Sequence, residues 1–298
     1  MLCLDDETCV ALTRLSLPEV QLIALPNFER GDEELVLAKR NRSLAEYYFT
    51  CTPSLPLFVM NHNPEVDLIT YLDADIFFFS SPAQLFEEIG TNSIAIIGHR
   101  FSPTLKGLER RGIYNVGWLS FRRDVNGLAC LRWWRDRCIE WCYDRVEGDK
   151  YADQKYLDKW PTLFQRVVVL QHKGANLAPW NVENHIIRCE NSAVWVDEQP
   201  LIFYHFQGVR PITKWCCDAG FRSFRSVRPT KAVLQFIYSP YIAMLLRLAQ
   251  LYPFDRGIRG RSGLNLRFYL SKLRAVLSIG KVVFRRRHVF YVNGHLVT

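Results

Sequence analysis

Leu68-Ile-Thr-Tyr-Leu-Asp-Ala-Asp-Ile-Phe-Phe-Phe79 sets two aspartates, Asp73 and Asp75, inside a run of apolar, β-branched and aromatic residues. Such a run reads as a buried strand, and carboxylates buried within it are costly unless something pairs with them. The physical solution is a strand that ends at the first aspartate, so that both side chains emerge at its carboxyl end and hold a divalent cation. Hard ions such as Mg²⁺ and Mn²⁺ take carboxylate oxygens together with substrate phosphates. Two carboxylates with a phosphate completing the shell suit a nucleotide-diphosphate site. The competing reading is a turn in which Asp73 and Asp75 cap a helix or pair with arginine.

Outward from this stretch, strand-like and helix-like segments alternate. Strands are expected at 1–4, 20–25, 67–72, 93–97, 115–121, 166–170, 193–196 and 201–204, and helices at 7–14, 33–48, 83–89, 124–144 and 153–159. Asp124 stands as the N-cap of the 124–144 helix. The alternation predicts an α/β domain with a mainly parallel sheet, whose ligands sit beyond the carboxyl ends of the strands. Asp5, Asp6, Asp73 and Asp75 all fall at such ends.

The chain has 298 residues, 49% hydrophobic and 23% charged, enough to bury a sizeable core. Its nine cysteines show no paired metal spacing. With no secretory signal at the start, a reducing cytoplasm is the expected setting. Cys138 and Cys142 lie on the inner face of a helix with Leu128, Leu131, Trp134 and Trp141, and read as packed thiols. Residues 1–208 carry 21 Lys/Arg against 28 Asp/Glu, a net of −7. Residues 209–298 carry 17 Lys/Arg against only Asp218 and Asp255, a net of +15, so the overall +8 belongs to the last third. An acidic globular domain with a basic appendage is expected.

Several polar clusters fall at element ends. Asn115-Val-Gly-Trp118 opens a strand, and Asp153-Gln154 opens a helix, where a carboxylate beside an amide suits sugar hydroxyls as well as an N-cap. The loop Gly174-Ala-Asn-Leu-Ala-Pro-Trp-Asn181 offers Trp180 as a platform for a sugar face. Tyr204-His205-Phe-Gln-Gly208 follows an apolar strand, which makes His205 either a third metal ligand or a histidine that is merely hydrogen-bonded.

Taken in order, Leu72-Asp-Ala-Asp75, Asn115-Val-Gly117, Asp153-Gln154, Trp180-Asn181 and His205-Phe-Gln-Gly208 resemble the successive motifs of retaining glycosyltransferase family eight. Related nucleotide-sugar transferases of the GT-A fold share them, among them bacterial lipopolysaccharide galactosyl- and glucosyltransferases and glycogenin. The likeness spans about residues 1–215. It implies a GT-A domain over 1–215 and a basic helical extension over 216–298. It also implies Mn²⁺ or Mg²⁺ on Asp73, Asp75 and His205, with Asn115, Asp153 and Gln154 at the donor sugar and reaction centre. Trp180 and Asn181 would bind the donor. The family's phosphate-binding lysine is displaced here: Gly208 is followed by Val-Arg-Pro, leaving Arg210 or Lys214 for that role. Arg42, in Arg40-x-Arg42, is a further candidate phosphate contact, with a solvated helix face as the alternative. The strand, loop and helix that usually open a GT-A domain are missing ahead of Leu2-Cys-Leu-Asp-Asp6. A start further upstream, or a truncated copy that binds its donor poorly, is the corresponding expectation.

The implied reaction moves a sugar from a nucleotide-diphosphate donor, expected to be a UDP-sugar, to a glycan or lipid-linked acceptor with retention. Asp153 is a better nucleophile than Gln154, yet spacing leaves direct attack and a covalent intermediate both open. The rivals are a sugar nucleotidyltransferase, which would want a Gly-rich, lysine-containing loop on the first strand, and a catalytically silent membrane-bound scaffold. In the basic third, the apolar run 232–246 is too short, and too interrupted by Pro240, to span a membrane. Leu266, Leu270, Leu273 and Leu277 share a helical face beside Arg267, Arg274 and Arg285-Arg-Arg287. That pattern suits an anionic membrane surface at the inner face of the cell membrane, or a helix packed on the catalytic core. Asn293-Gly294 reads as a hairpin turn, and no nucleic-acid-reading motif is present.

Overall fold

The computed structural model describes residues 1–211, 216–221, 224, 226–251, 290–292 and 295–297. The chain opens with β1 (Leu2–Cys3), α1 (Asp6–Leu15), β2 (Ile23–Ala24), α2 (Leu25–Glu29), α3 (Glu33–Lys39) and α4 (Leu44–His62). β3 (Leu68–Leu72), β4 (Ile76–Phe78), α5 (Ala83–Ile89), β5 (Ile94–Gly98), β6 (Tyr114–Arg122) and α6 (Val125–Glu140) follow. Next come α7 (Trp160–Leu163), β7 (Val167–Leu170), β8 (Ile187–Glu190), β9 (Ala193–Val196), β10 (Gln199–Pro200) and β11 (Phe203–His205). The last described elements are β12 (Arg210–Pro211), β13 (Cys216–Asp218), α8 (Lys231–Val233), α9 (Ser239–Leu251), β14 (Phe290–Val292) and β15 (His295–Val297). The architecture is mixed α/β.

The central sheet has the order β3-β6-β5-β7. β6 runs antiparallel to both β3 and β5, while β5 and β7 are parallel. Three of its four strands therefore share a direction, but inserting β6 leaves β5–β7 as the one hydrogen-bonded parallel pair in this sheet, which corrects the expected mainly parallel pairing. The miss has a physical reason. β6 is buried along nearly its whole length, and a strand buried on both faces carries no sign of its direction. Alternation along β5 gives the sheet its two layers. Ile94 and Ile96 pack with Leu131, Trp134 and Cys138 of α6, whereas Ala95 and Ile97 pack with Leu85, Ile89 and Phe203.

Several element boundaries differ from expectation. The single helix expected over 33–48 is two, because Ser43 starts a new one: its hydroxyl accepts from the Glu46 N–H while the Glu46 carboxylate accepts from the Ser43 N–H at 2.8 Å. The helix expected over 124–144 ends at Glu140, capped by Asp124 as expected. The one expected over 153–159 is a 3₁₀ turn over Lys155–Lys159. Asp5 is spent as the N-cap of α1, accepting from the Thr8 N–H at 2.7 Å. Cys138 and Cys142 are fully buried free thiols in the α6 core.

The last third is not purely helical. β12, β13, β14 and β15 form a four-stranded sheet, and β14 and β15 pair antiparallel around Asn293-Gly294, as a hairpin requires. The residues 266–277, Arg285-Arg-Arg287, Lys214 and the turn pair Asn293-Gly294 lie outside the described residues. Across the position 215/216 where the sequence divides, Cys217, Phe221, Ile237, Tyr238 and Ile242 share one core with Trp180, Tyr204 and Phe206. No helix among the described residues is long and apolar enough to cross a membrane.

The antiparallel β8-β9-β10 meander is pinned by Asp197, which adopts a left-handed φ of 54°. Its carboxylate meets His185 Nδ1 at 2.9 Å, the Ile186 N–H at 2.8 Å and Lys173 Nζ at 3.3 Å. Burial alone would raise its pKa, but these three partners outweigh burial and hold it at about 2. The folded pKa lies below the unfolded value of about 3.9. The contribution is therefore present above about pH 4 and lost as pH falls toward about 2. Asp197→Asn should cost about 1–2 kcal/mol at neutral pH. In urea titrations, the gap from the parent protein should close as pH drops from about 4 toward about 2.

Candidate metal centre

β3 ends at Leu72, which pairs with Trp118, so the next residue leaves the strand opposite Gly117. The Asp73 N–H reaches the Gly117 carbonyl at 3.3 Å. The chain then turns through Asp75 into β4, a short strand not foreseen from the sequence, which pairs antiparallel with β11. In that register His205 lies opposite Ile76, and the Phe206 N–H donates to the Asp75 carbonyl at 2.8 Å. The strand expected at 201–204 is thus shifted to Phe203–His205, with His205 as its last residue.

Asp73, Asp75 and His205 converge, with candidate ligand atoms all within 4.8 Å of one another. His205 Nε2 stands 2.9 Å from Asp75 Oδ1 and 3.7 Å from Asp73 Oδ2. The histidine is buried, while the Asp73 and Asp75 side chains are 29% and 42% exposed, leaving one side open to further ligands. Tyr71 Oη donates to Asp73 Oδ1 at 2.9 Å. Burial raises the Asp73 pKa, with the Asp75 charge adding to it and His205 opposing. Burial also works against ionised Asp75, yet its hydrogen bond to His205 wins and lowers its pKa. For His205, burial favours the neutral ring but the two carboxylates outweigh it, so its pKa is raised. A group of negative charge collected around one imidazole is the field a cation would enter. Two carboxylates and one imidazole nitrogen, open on one side, fit a hard divalent cation that keeps positions for water or phosphate.

Gly117 makes room for this arrangement. A Cβ there would lie 2.6 Å from Asn115 Oδ1 and 2.8 Å from His205 Nδ1. Asn115 is buried; its Oδ1 accepts from the Gly117 N–H at 3.0 Å, which turns its Nδ2 toward His99 Nε2 at 3.2 Å and Gln154 Oε1 at 3.5 Å. The amide expected at the donor sugar is therefore committed to internal partners. His99 was not foreseen. It is the first residue beyond β5, and its place past an apolar strand end is the same signal that singled out Asp73. Burial, reinforced by the His205 charge, pushes its pKa down to about 3, so the ring is neutral. Asp153 is buried, and burial together with the Asp73 charge raises its carboxyl to about 7. Gln154, beside it, donates to the Arg111 carbonyl at 3.1 Å.

Trp180 is no exposed platform: it is 2% exposed, and its ring meets His205 edge to face at 5.1 Å and His99 at 5.3 Å. Asn181 is fully buried and knits the loop, accepting from the Ala178 N–H at 2.9 Å and donating to the His99 and Asn176 carbonyls at 2.8 and 2.9 Å. Both residues support the centre from behind. Arg42 is engaged elsewhere, 4.0 Å over the Tyr143 ring and donating to the Ile139 carbonyl at 3.2 Å. The backbone of Arg210 pairs with Asp218 in β12–β13; its side chain, like Lys214, lies outside the described residues.

No family model matches the chain. It is 34% identical over 251 residues to the uncharacterized protein YfnD of Bacillus subtilis (strain 168), covering 83% of this chain and 79% of that protein. It is also 34% identical over 221 residues to the uncharacterized protein YfnF of the same organism, covering 72% of each. The chain belongs to the family of YfnD and YfnF. In this member of that family, the carboxylates and imidazole of the cluster come from strand ends far apart in sequence, joined by one short pairing.

Two substitutions test the geometry. Asp75→Ala should abolish saturable Mn²⁺ binding in calorimetry while the protein keeps its far-ultraviolet circular dichroism, since Asp75 is partly exposed. Gly117→Ala should weaken Mn²⁺ binding by displacing His205 and Asn115, and should cost about 1–3 kcal/mol of stability from overpacking.

Proposed function

We propose that this protein is a metal-dependent glycosyltransferase of the GT-A type that takes its sugar from a nucleotide-diphosphate donor. The observation that carries the reading is the convergence of Asp73, Asp75 and His205 on one half-open cluster, with Asn115 and Asp153 buried behind it and Gln154 half-buried alongside. The place of the carboxylates, just past the carboxyl end of β3 and beside the Gly117 carbonyl of β6, supports the same reading.

Asp73, Asp75 and His205 would hold Mn²⁺ or Mg²⁺. Once bound, such a cation supplies Lewis-acid stabilisation of the charge that builds on the departing diphosphate. The protein's own residues do the rest. Asp73 and Asp75 reach that work as carboxylates, and Tyr71 fixes Asp73 through its 2.9 Å hydrogen bond. His205 is packed against Trp180 on one side, and the missing Cβ of Gly117 leaves its ring room on the other. Preorganised groups of this kind lower a barrier because they are not reorganised as charge develops. Asp153, with its carboxyl near about 7, is held where it senses the Asp73 charge. A group titrating there can carry or release a proton near neutral pH, as acid–base chemistry at an acceptor hydroxyl requires. A glycan or a lipid-linked saccharide is the acceptor class.

Calorimetry with UDP-glucose, UDP-galactose and the corresponding GDP- and ADP-sugars, with and without Mn²⁺, tests this. At least one donor should bind only with the metal, and its slow hydrolysis or transfer should fall by about 10²-fold or more in Asp153→Asn. Absence of metal-dependent binding by every nucleotide sugar would refute the assignment.

A further inference from the structure

α9 brings one more side chain to the Asp73, Asp75 and His205 cluster: Tyr241, which no motif in the sequence singles out. Its ring stacks on Phe206, with centroids 3.7 Å apart and 12° between the planes, and meets Phe77 edge to face at 5.5 Å. Those two residues flank the cluster. Phe206 follows His205 and donates its N–H to the Asp75 carbonyl at 2.8 Å, and Phe77 lies two residues past Asp75. The phenol is therefore seated on the two backbone segments that carry Asp75 and His205, and packing on two rings fixes its place.

The Tyr241 hydroxyl, unlike its neighbours, has no use in the fold. Tyr204 and Tyr238 pair their hydroxyls at 3.1 Å, and Tyr71 Oη donates to Asp73. Tyr241 Oη makes no hydrogen bond among the described residues and, in contrast to the sealed Trp180 Nε1, it is open to solvent. The side chain thus has a packed apolar body and a free polar tip. Burial, followed by the Asp75 charge, pushes its pKa up to about 12, so at neutral pH the tip is a hydrogen-bond donor. It stands on the more open side of the cluster: the Asp75 side chain is 42% exposed, that of Asp73 29%.

The acceptor for this donor has to arrive with a ligand. A hard cation held by two carboxylates and an imidazole keeps positions for phosphate oxygens, and a diphosphate has more oxygens than the cation can take. An oxygen left over carries negative charge beside the cluster, within the field of the same cation. Hydrogen bonds to such charged acceptors are roughly twice as strong as those to neutral ones, so a sugar hydroxyl or a water is the weaker partner for the phenol. We propose that Tyr241 Oη is a phosphate contact, donating to an oxygen of a diphosphate whose other oxygens complete the shell of a cation on Asp73, Asp75 and His205. The inference rests on the cation assigned to that cluster above, and not on the nucleoside or the sugar. It makes α9, and with it the last third of the chain, part of the site.

The full chain should be titrated by calorimetry with Mn²⁺ alone, and then with inorganic pyrophosphate at saturating Mn²⁺. Tyr241→Phe keeps the stacked ring and removes only the hydroxyl. The variant should melt with the parent protein and bind Mn²⁺ with the same affinity, yet bind pyrophosphate about tenfold or more weakly in the presence of Mn²⁺. Equal pyrophosphate affinity in parent and variant overturns the inference. So does weakened binding of Mn²⁺ alone by the variant, since the hydroxyl would then serve the cation, and so does failure of the parent protein to bind pyrophosphate with Mn²⁺. The two readings fail separately. Nucleotide-sugar binding indifferent to Tyr241→Phe sinks this inference alone, whereas pyrophosphate binding that responds to it, with no nucleotide sugar bound, sinks the transferase reading alone.

Discussion

Pairing β4 with β11 sets Ile76 against His205 and places the Phe206 N–H on the Asp75 carbonyl at 2.8 Å. The pairing spans three residues, and three backbone pairs would not hold two distant segments together in water. Side-chain packing supplies what the ladder lacks. Phe78 packs against Phe203 and Trp118, and Tyr204 and Phe206 are buried with Tyr238 in the core that continues into the last third. Each of these large side chains contributes roughly 1.5–3 kcal/mol on burial. The Asp73, Asp75 and His205 cluster is thus positioned by aromatic packing on both sides of a minimal strand pair.

That packing also sets the electrostatics. His205 is enclosed by Trp180, Gly117 and the strand backbone, so its ring is poorly solvated and its charge depends on Asp73 and Asp75. The aspartates remain partly open to solvent. Burial is therefore unequal among the three groups: the imidazole is fixed, and the carboxylates face the side from which a cation and its remaining ligands would arrive. His99 adds a neutral, buried ring behind Asn115, which orients that amide without adding charge near the cluster.

Periodicity and chain punctuation made much of this legible. The run Leu68–Leu72 ending at Asp73, the helix Ala83–Ile89 and the Asp124 cap are local features, decided by residues close in sequence. His205 could be singled out because it follows an apolar strand. β4 was not legible: Ile76-Phe-Phe78 reads as the tail of the preceding strand, and only its distant partner separates the two. Trp180 was misjudged because a loop's burial depends on where its backbone polar groups find partners. Here Asn181 supplies them from within the loop, so Gly174–Asn181 can sink into the core. Two histidines and an asparagine meeting across three strands leave no periodic trace.

α4 shows how tertiary structure overrides local preference. Pro53 and Pro56 lie inside it, and each interior proline costs roughly 3 kcal/mol in an isolated helix. The helix runs through both because its inner face is buried from Tyr47 to Met60, and Tyr47 Oη donates to Glu29 at 2.6 Å. Burial of Tyr47, Cys51, Met60 and the proline rings themselves offsets the penalty at about 1.5–3 kcal/mol for each large side chain. A helix held by its packing, and not by its own propensity, keeps its orientation fixed by what it touches. With Thr52 on the side that faces Asp153, that orientation decides which polar groups lie behind the Asp73, Asp75 and His205 cluster.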